Sequence, residues 1–334
     1  KQAIAVRLLK ELPAESEPTF ADLTGGFGVD FSYMSEPFKK ALYVERNEQL
    51  CSIATQNFKC LGLNNISTKN GDSIEVLHQL DSVSVLFLDP ARRNSSGGKV
   101  VSMADCEPNV LELCDEMVGK SHFVVLKLSP MLDWHSAVAQ LKYVMEVHIV
   151  SVGNECKELL LVLTDRNKTA KGCKSNTIQI FCVNDNDVFS YEEDFYSEGE
   201  NIPQQRIFDR NATLPPYLYE PNASIMKAGC FAQLSEIYCV AALGHNSHLF
   251  VSPDFLPHFP GRKFQIVNIC TLNKKELRRA LAGMTQANIA VRNFPMRVDE
   301  LKKRLKLRDG GEHYIFATTR GDKEHILIIS KKEV

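Results

Sequence analysis

The sequence predicts an α/β protein built on a doubly wound, mostly parallel sheet that closes with an antiparallel hairpin and is followed by smaller α+β modules. Three observations predict it. From Thr19 to Thr164, short apolar runs alternate with segments of helical period, as a sheet covered on both faces requires. The last two apolar runs of that block, EVHIVSVG at 146–153 and ELLLVLT at 158–164, lie too close together for a helical crossover, so they pair antiparallel. Beyond residue 260 the order becomes strand, helix, strand, helix, strand, strand, and the net charge changes sign.

The elements follow in order. KQAIAVRLLKEL has a helical pattern and begins at Lys1 without a Met, which reads as the continuation of a longer product. Strands are expected at 19–23 (TFADL), 41–45 (ALYVE), 65–68 (NIST), 83–88 (VSVLFL) and 121–128 (SHFVVLKL), with helices between them. After Asn47, the apolar residues Leu50, Ile53, Ala54, Phe58 and Leu61 form a stripe at helical spacing, and Gly62 supplies a C-terminal stop. Residues 165–205 are polar, acidic and turn-rich around TIQIFCV, the pattern of one appended strand and a linker. Residues 206–260 hold a helix, ASIMKAGCFAQLSEIY, then the strand-like HLFV and the Pro-punctuated SPDFLPHFPG. The remainder reads strand FQIVNIC, helix KKELRRALAG, strand ANIAVRNF, helix RVDELKKRLKL, then strands HYIFATT and HILIIS around the turn RGDK. The domain boundaries implied are 1–200, 201–260 and 261–334.

Composition bounds the function. The 334 residues are 44% hydrophobic and 24% charged, an ordinary globular balance. No run reaches the roughly 18–20 apolar residues of a membrane-spanning helix. The ten cysteines are scattered without a CxxC pair, as expected of free thiols in a reducing cytoplasm. His245 and His248 have no acid or thiol beside them at ligand spacing, so no metal is expected. The near-neutral total hides an asymmetry: residues 1–260 carry 22 − 33 = −11, and residues 261–334 carry 17 − 8 = +9. A basic module on an acidic body points to a polyanionic partner, although a Lys-rich solvated helix face gives the same composition.

The chemistry gathers at consecutive strand ends. The first strand runs into Asp22-Leu23-Thr24-Gly25-Gly26-Phe27-Gly28-Val29-Asp30, a turn whose glycines let the backbone approach a ligand. The dinucleotide fingerprint needs a third glycine, and Phe31 stands in its place. Asp22 would repel a pyrophosphate but suits a cationic sulfonium with an amino-acid tail. Glu45, followed by Arg46, ends the second strand 17 residues beyond Gly28, a spacing that suits a carboxylate accepting both ribose hydroxyls of an adenosine cofactor. After the third strand, Asp72 in Asn70-Gly71-Asp72-Ser73 either faces an adenine amino group or caps the helix SIEVLHQL. The fourth strand delivers Asp89-Pro90-Ala91-Arg92-Arg93 to the same edge, where open α/β sheets bind ligands.

On these motifs, residues 1–164 resemble a class I S-adenosylmethionine-dependent methyltransferase with a Rossmann-like sheet. DLTGGFGVD stands as motif I, Glu45 in LYVERN as the ribose acid, Asp72 in NGDS as the adenine acid and DPARR at the motif IV position. The resemblance implies S-adenosylmethionine as cofactor and S-adenosylhomocysteine as product. It assigns cofactor contacts to Asp22, Thr24, Gly25, Gly26, Phe27, Gly28, Asp30, Glu45, Arg46, Asp72 and Ser73, and catalysis to Asp89 and Pro90. The whole chain resembles bacterial methyltransferases, known from Bacteroidetes, that add a small ferredoxin-like module and a C-terminal THUMP-like domain. YLYEPNASIMKAG and RDGGEHYIFATTRGDKEHILIIS carry that second part. THUMP domains bind RNA, so the resemblance implies methylation of a base nitrogen in rRNA or tRNA, in agreement with the +9 charge.

One departure stands out. Amino-group methyltransferases carry Pro and an aromatic ring where this chain has Ala91 and Arg92, so stacking on a target base is lost there. Arg92 and Arg93 suit a substrate phosphate, or an ion pair with a nearby acid. No Cys lies in the DPARR loop or beside Ser129-Pro130, which disfavours covalent transfer to a pyrimidine carbon. Trp134 and His135 either line the acceptor pocket or begin a packed helix. A methyltransferase acting on protein or a small molecule is the alternative, and a non-catalytic RNA-binding protein a further one. The missing third glycine and the terminal hairpin both oppose an NAD-dependent oxidoreductase.

Overall fold

A computed structural model of the chain describes residues 1–12, 17–92, 103–165, 177–195, 204–209, 211–321 and 323–333. They form two compact units, residues 1–183 with 190–198, and residues 184–189 with 199–334.

The first unit opens with α1 (Gln2–Leu9) and then alternates β1 (Thr19–Asp22), α2 (Val29–Ser35), β2 (Lys40–Glu45), α3 (Glu48–Cys60), β3 (Ile66–Asn70), α4 (Ser73–Gln79) and β4 (Val83–Leu88). Two short strands, β5 (Ala91–Arg92) and β6 (Cys106–Glu107), pair with each other. They are followed by α5 (Val110–Lys120), β7 (Ser121–Leu128), α6 (Trp134–Gln140), β8 (Val144–Val152), β9 (Glu155–Leu163), β10 (Thr177–Asn184) and β11 (Asp187–Asp194). The main sheet has nine strands in the order β11-β10-β8-β9-β7-β4-β1-β2-β3. β3, β2, β1, β4 and β7 run parallel, and β9 and β8 form the antiparallel hairpin expected from the short connection. All six residues of β4 are buried, which explains why it is apolar apart from Ser84, whose hydroxyl accepts the Thr19 amide. Aromatic residues fill the layer between sheet and helices: Phe20, Phe31, Phe38, Tyr43 and Phe58 belong to one core cluster.

Sequence and structure differ at three elements. In α3 the buried residues are Cys51, Ala54 and Phe58, whereas Ile53 and Leu61 are largely exposed, so the expected stripe was rotated by about one position. Asn47 caps the helix by accepting from the Leu50 amide, and Gly62, at φ 72°, ends it as expected. Residues 187–194, read as linker, are strand β11; Asp187, Glu192 and Asp194 are exposed, where low β-propensity costs little, and Glu193 is half-buried. The expected helix through ASIMKAGCFAQLSEIY is two, α7 (Ala223–Ala228) and α8 (Phe231–Ile237), because Gly229 takes a left-handed conformation between them.

The second unit continues from β12 (Tyr217–Pro221) through α7 and α8 to β13 (Ala241–Ala242), β14 (Phe250–Ser252) and β15 (Gly261–Cys270). It ends with α9 (Lys274–Ala280), β16 (Asn288–Arg292), α10 (Val298–Leu305), β17 (His313–Arg320) and β18 (Glu324–Glu333). Its seven-stranded sheet has the order β13-β14-β12-β15-β18-β17-β16, so strands from before and after residue 260 share one sheet. One face packs Ile315, Ala317, Leu327 and Ile329 against Leu301 and Leu305 of α10, and a second cluster holds Leu218, Phe264, Phe316 and Ile328. No helix among the described residues is long and apolar enough to cross a membrane.

Candidate cofactor and catalytic site

In the first sheet, the chain proceeds from β1 outward to β2 and β3, then returns to β4 on the other side of β1. The carboxyl ends of β1 and β4 therefore border a crevice where the winding reverses, the usual place for a ligand in such sheets. The turn after β1 is shaped by two rings beneath it. A Cβ at Gly25 would lie 2.1 Å from the Tyr43 ring, and one at Gly28, whose φ is 76°, would lie 2.4 Å from the Phe58 ring. Only glycine lets the turn settle this closely on the core. Above Gly26 the nearest atom to such a Cβ is 4.0 Å away, so the middle of the turn presents bare backbone to open space.

The acids that end the strands tie this turn together. Glu45, 9% exposed, accepts the Gly26 amide at Oε2 and the Asn47 amide at Oε1, both at 2.8 Å. The Tyr43 hydroxyl donates to the Gly26 carbonyl. Asp22 Oδ1 accepts the Thr24 amide at 2.8 Å and the Thr24 hydroxyl at 3.3 Å, and the same hydroxyl oxygen accepts the Asp89 amide at 2.7 Å. Thr24 thus joins the ends of β1 and β4. Burial pushes the Asp22 carboxyl up to about 7 despite the Thr24 hydrogen bonds that favour its charged form. Asp72 caps α4, accepting the Ile74 amide at 2.8 Å and the Glu75 amide at 3.2 Å, and Ser73 is the first residue of that helix. The capping role is thus realised.

At the end of β4, Asp89 stands partly exposed and Pro90 is buried. Lys127, near the end of β7, places its ammonium 2.7 Å from Asp89 Oδ2 and 2.9 Å from Asp30 Oδ2. The other oxygen of Asp30 meets Lys1 at 2.7 Å. Burial works against the charge on Lys127, but hydrogen bonds and attraction from Asp89 and Asp30 raise its pKa above the ordinary lysine range. Burial likewise opposes the Asp30 carboxylate, and Lys1 and Lys127 hold it below the usual value. Arg46 pairs with Glu107 at 3.0 Å, an exposed bridge from the end of β2 to β6. Phe27 is 63% exposed beside the glycine turn. The Arg92 side chain and all of Arg93 lie outside the described residues.

The structure thus joins Asp22, Thr24 and Asp89 in one hydrogen-bond network and Gly26 with Glu45 in a second, and the Gly25 amide donates to the Val44 carbonyl, while Asp30 and Arg46 are engaged in ion pairs. Sequence reasoning missed Lys127 and Tyr43. A lysine in the apolar strand SHFVVLKL was the available signal, since a charge there needs partners. Tyr43 became legible only when the glycine turn was seen to lie on its ring. Trp134 is buried at the start of α6 and stacks on His135 at 3.7 Å, so the packed-helix reading is the one realised. Among the described residues no group of His, Cys, Asp or Glu could hold a metal, and no disulfide joins the described cysteines to one another.

The strand order β3-β2-β1-β4-β7 followed by the antiparallel β9 and β8 defines the class I methyltransferase fold. Residues 261–332 match a family model described as THUMP domain-like, and residues 217–260 match one described as a ferredoxin-like domain. Over its whole length the chain is similar to a structure described as a "putative methyltransferase from Porphyromonas gingivalis W83". The identity is 28% and the TM-score 0.83, with 100% of this chain and 81% of that one covered. An rRNA methylase structure from Streptococcus thermophilus matches 49% of this chain and 94% of its own at 16% identity and a TM-score of 0.37. SMU.1697c, described as a "putative methyltransferase" from Streptococcus mutans in complex with SAH, matches 48% of this chain and 97% of its own at 12% identity and a TM-score of 0.35. No curated protein matches the sequence.

The residues present fit S-adenosylmethionine. The open backbone over Gly26 leaves room that a Cβ would take, Glu45 keeps acceptor capacity beyond its two amide bonds, and Asp22 offers a buried carboxyl suited to a cation. A pyrophosphate would meet that same acid unfavourably.

Proposed function

We propose that this protein is an S-adenosylmethionine-dependent methyltransferase that modifies a base nitrogen of ribosomal or transfer RNA, with residues 261–334 binding the RNA. The observation that carries this reading is the union, in one chain, of a methyltransferase sheet whose strand ends bear Asp22, Glu45, Asp72 and Asp89 with a THUMP-like segment of net charge +9. Phosphate neutralisation supplies most sequence-independent affinity for nucleic acid, so the charge belongs where the substrate is held.

When bound, S-adenosylmethionine supplies a methyl group on a sulfonium, and the chain's own residues position the reactants. Asp22 balances positive charge within a buried pocket, and Glu45 anchors a ribose while keeping the glycine turn in place. Asp89, fixed through its amide by Thr24 and through Oδ2 by Lys127, accepts a hydrogen bond from the target N–H and orients its lone pair. A carboxylate already engaged by an ammonium works as an orienting acceptor more readily than as a strong base. Pro90 gives the loop a rigid wall beside that carboxylate.

Transfer of a labelled methyl group to bulk bacterial RNA, measured beside bulk protein, tests the reading. Label should enter RNA. Asp89→Asn should lower transfer by at least about tenfold while leaving affinity for S-adenosylhomocysteine within about twofold of wild type. Label entering protein alone would contradict the RNA assignment, and undiminished transfer by the variant would contradict the role of Asp89.

A further inference from the structure

The second unit contains an ionic cluster unused by the methyl-transfer site. Glu220, in the YLYEPN segment at the end of β12, has a side chain only 5% exposed. Arg262 of β15, its cross-strand neighbour, donates Nε to Glu220 Oε2 at 2.6 Å and Nη2 to the same oxygen. Arg292 of β16 donates Nη2 to Glu220 Oε1 at 2.7 Å and Nη1 to the Val291 carbonyl at 2.9 Å. Three strands separate β12 from β16 in the sheet, so the sheet curls enough for its two flanks to meet at Glu220. The register beside the cluster is fixed by close packing, because a Cβ at Gly261 would stand 2.2 Å from the Glu220 carbonyl.

Neutralising one buried carboxylate takes one cation, and here there are two. Burying an ion pair adds little net stability over apolar residues of similar volume, so packing does not account for the second guanidinium. The arginine side chains remain 38% and 36% exposed, and each uses two of its N–H donors within the cluster. Roughly three of the five N–H groups on each guanidinium are therefore uncommitted. Arg262 also lies 5.7 Å from the centroid of the Phe264 ring, which further limits its freedom. The result is a pair of planar donors, preorganised by a buried acid, with surplus positive charge and free edges.

We propose that Arg262 and Arg292, held by Glu220, form a fork that grips a backbone phosphate of RNA. This rests on the RNA reading of the C-terminal region and assigns its anchoring point to the curled end of the sheet. Arginine forks match the geometry of phosphate oxygens, and a fork whose orientation is already fixed loses little freedom on binding.

Anisotropy titration of the full chain with labelled bulk bacterial tRNA, across a series of salt concentrations, tests the proposal. Arg262→Met with Arg292→Met should weaken binding by on the order of tenfold and reduce the salt slope by about one. Lys303→Met with Arg304→Met on α10 removes equal charge and should weaken binding less. Glu220→Gln gives the sharper reading. It makes the domain more positive, so a diffuse basic surface would bind RNA more tightly, whereas a fork that depends on Glu220 binds it more weakly. If thermal melting shows that this variant does not fold, Arg262→Lys with Arg292→Lys keeps both charges, removes the fork and should still weaken binding several-fold. Tighter binding by Glu220→Gln, or wild-type affinity in both arginine double variants, would overturn the fork while leaving RNA binding intact. Failure of the wild-type chain to bind at low salt would overturn the RNA reading and the fork with it.

Discussion

At the scale of single residues, the site turns on Asp22, an acid buried where a cation is expected. Its folded-state pKa of about 7 lies above the ordinary aspartate value, so the native chain retains a proton that the unfolded chain gives up between roughly pH 4 and 7. The contribution of this group to stability is accordingly full below about pH 4 and is lost as the pH rises to about 7. Asp22→Asn keeps an oxygen for Thr24 and removes the titration. Denaturant unfolding at pH 5 and pH 8 should therefore show the variant gaining on wild type at the higher pH, by on the order of 2 kcal/mol. A stability difference that does not change with pH would contradict a buried, protonatable Asp22. Asp22, Glu45 and Asp89 were legible in the sequence because each stands at the end of an apolar strand run, and Asp72 because it precedes the helical run SIEVLHQL. Lys127 was not, because its partners Asp30 and Asp89 lie 97 and 38 positions away and meet it only in the folded sheet.

At the scale of elements, helix starts and strand ends were read well, whereas helix faces and polar strands were read less well. Asp72 shows how one residue serves both structure and site. Asparagine caps helices about as well as aspartate, so Asp72→Asn should melt within a degree or two of wild type, whereas Asp72→Ala should lose about 1 kcal/mol. If Asp72 also meets an adenine amino group, both variants should lose affinity for S-adenosylhomocysteine. Wild-type affinity in Asp72→Asn would leave only the cap. The α3 stripe was misplaced because Cys51, a small residue that packs well beside a sheet, carried less weight than the larger Leu50 and Ile53. β11 escaped notice because Glu192, Glu193 and Asp194 resemble linker composition, although Phe189 is buried at strand spacing. The single helix expected over 223–238 overlooked Gly229, whose lack of a Cβ permits the left-handed turn dividing it.

At the scale of the whole molecule, the order of elements was legible from the change of hydrophobic period, and the charge reversal near residue 260 marked where the chemistry of the surface changes. The continuity of the second sheet across that point was not legible, because β12 joins β15 through pairs 40 to 48 residues apart in sequence that no local pattern announces. Nor was the Glu220 cluster, whose three members come from three separate strands.

Isothermal titration of the full chain with S-adenosylhomocysteine and with NAD shows whether the crevice above Gly26 takes S-adenosylmethionine. S-adenosylhomocysteine should bind with micromolar affinity, and NAD should give no measurable heat. Glu45→Gln, which retains one oxygen for the turn, should weaken the former by about tenfold, in line with the loss of a charge-assisted hydrogen bond. Binding of NAD in preference to S-adenosylhomocysteine, or no binding of S-adenosylhomocysteine by the folded chain, would contradict S-adenosylmethionine binding in that crevice.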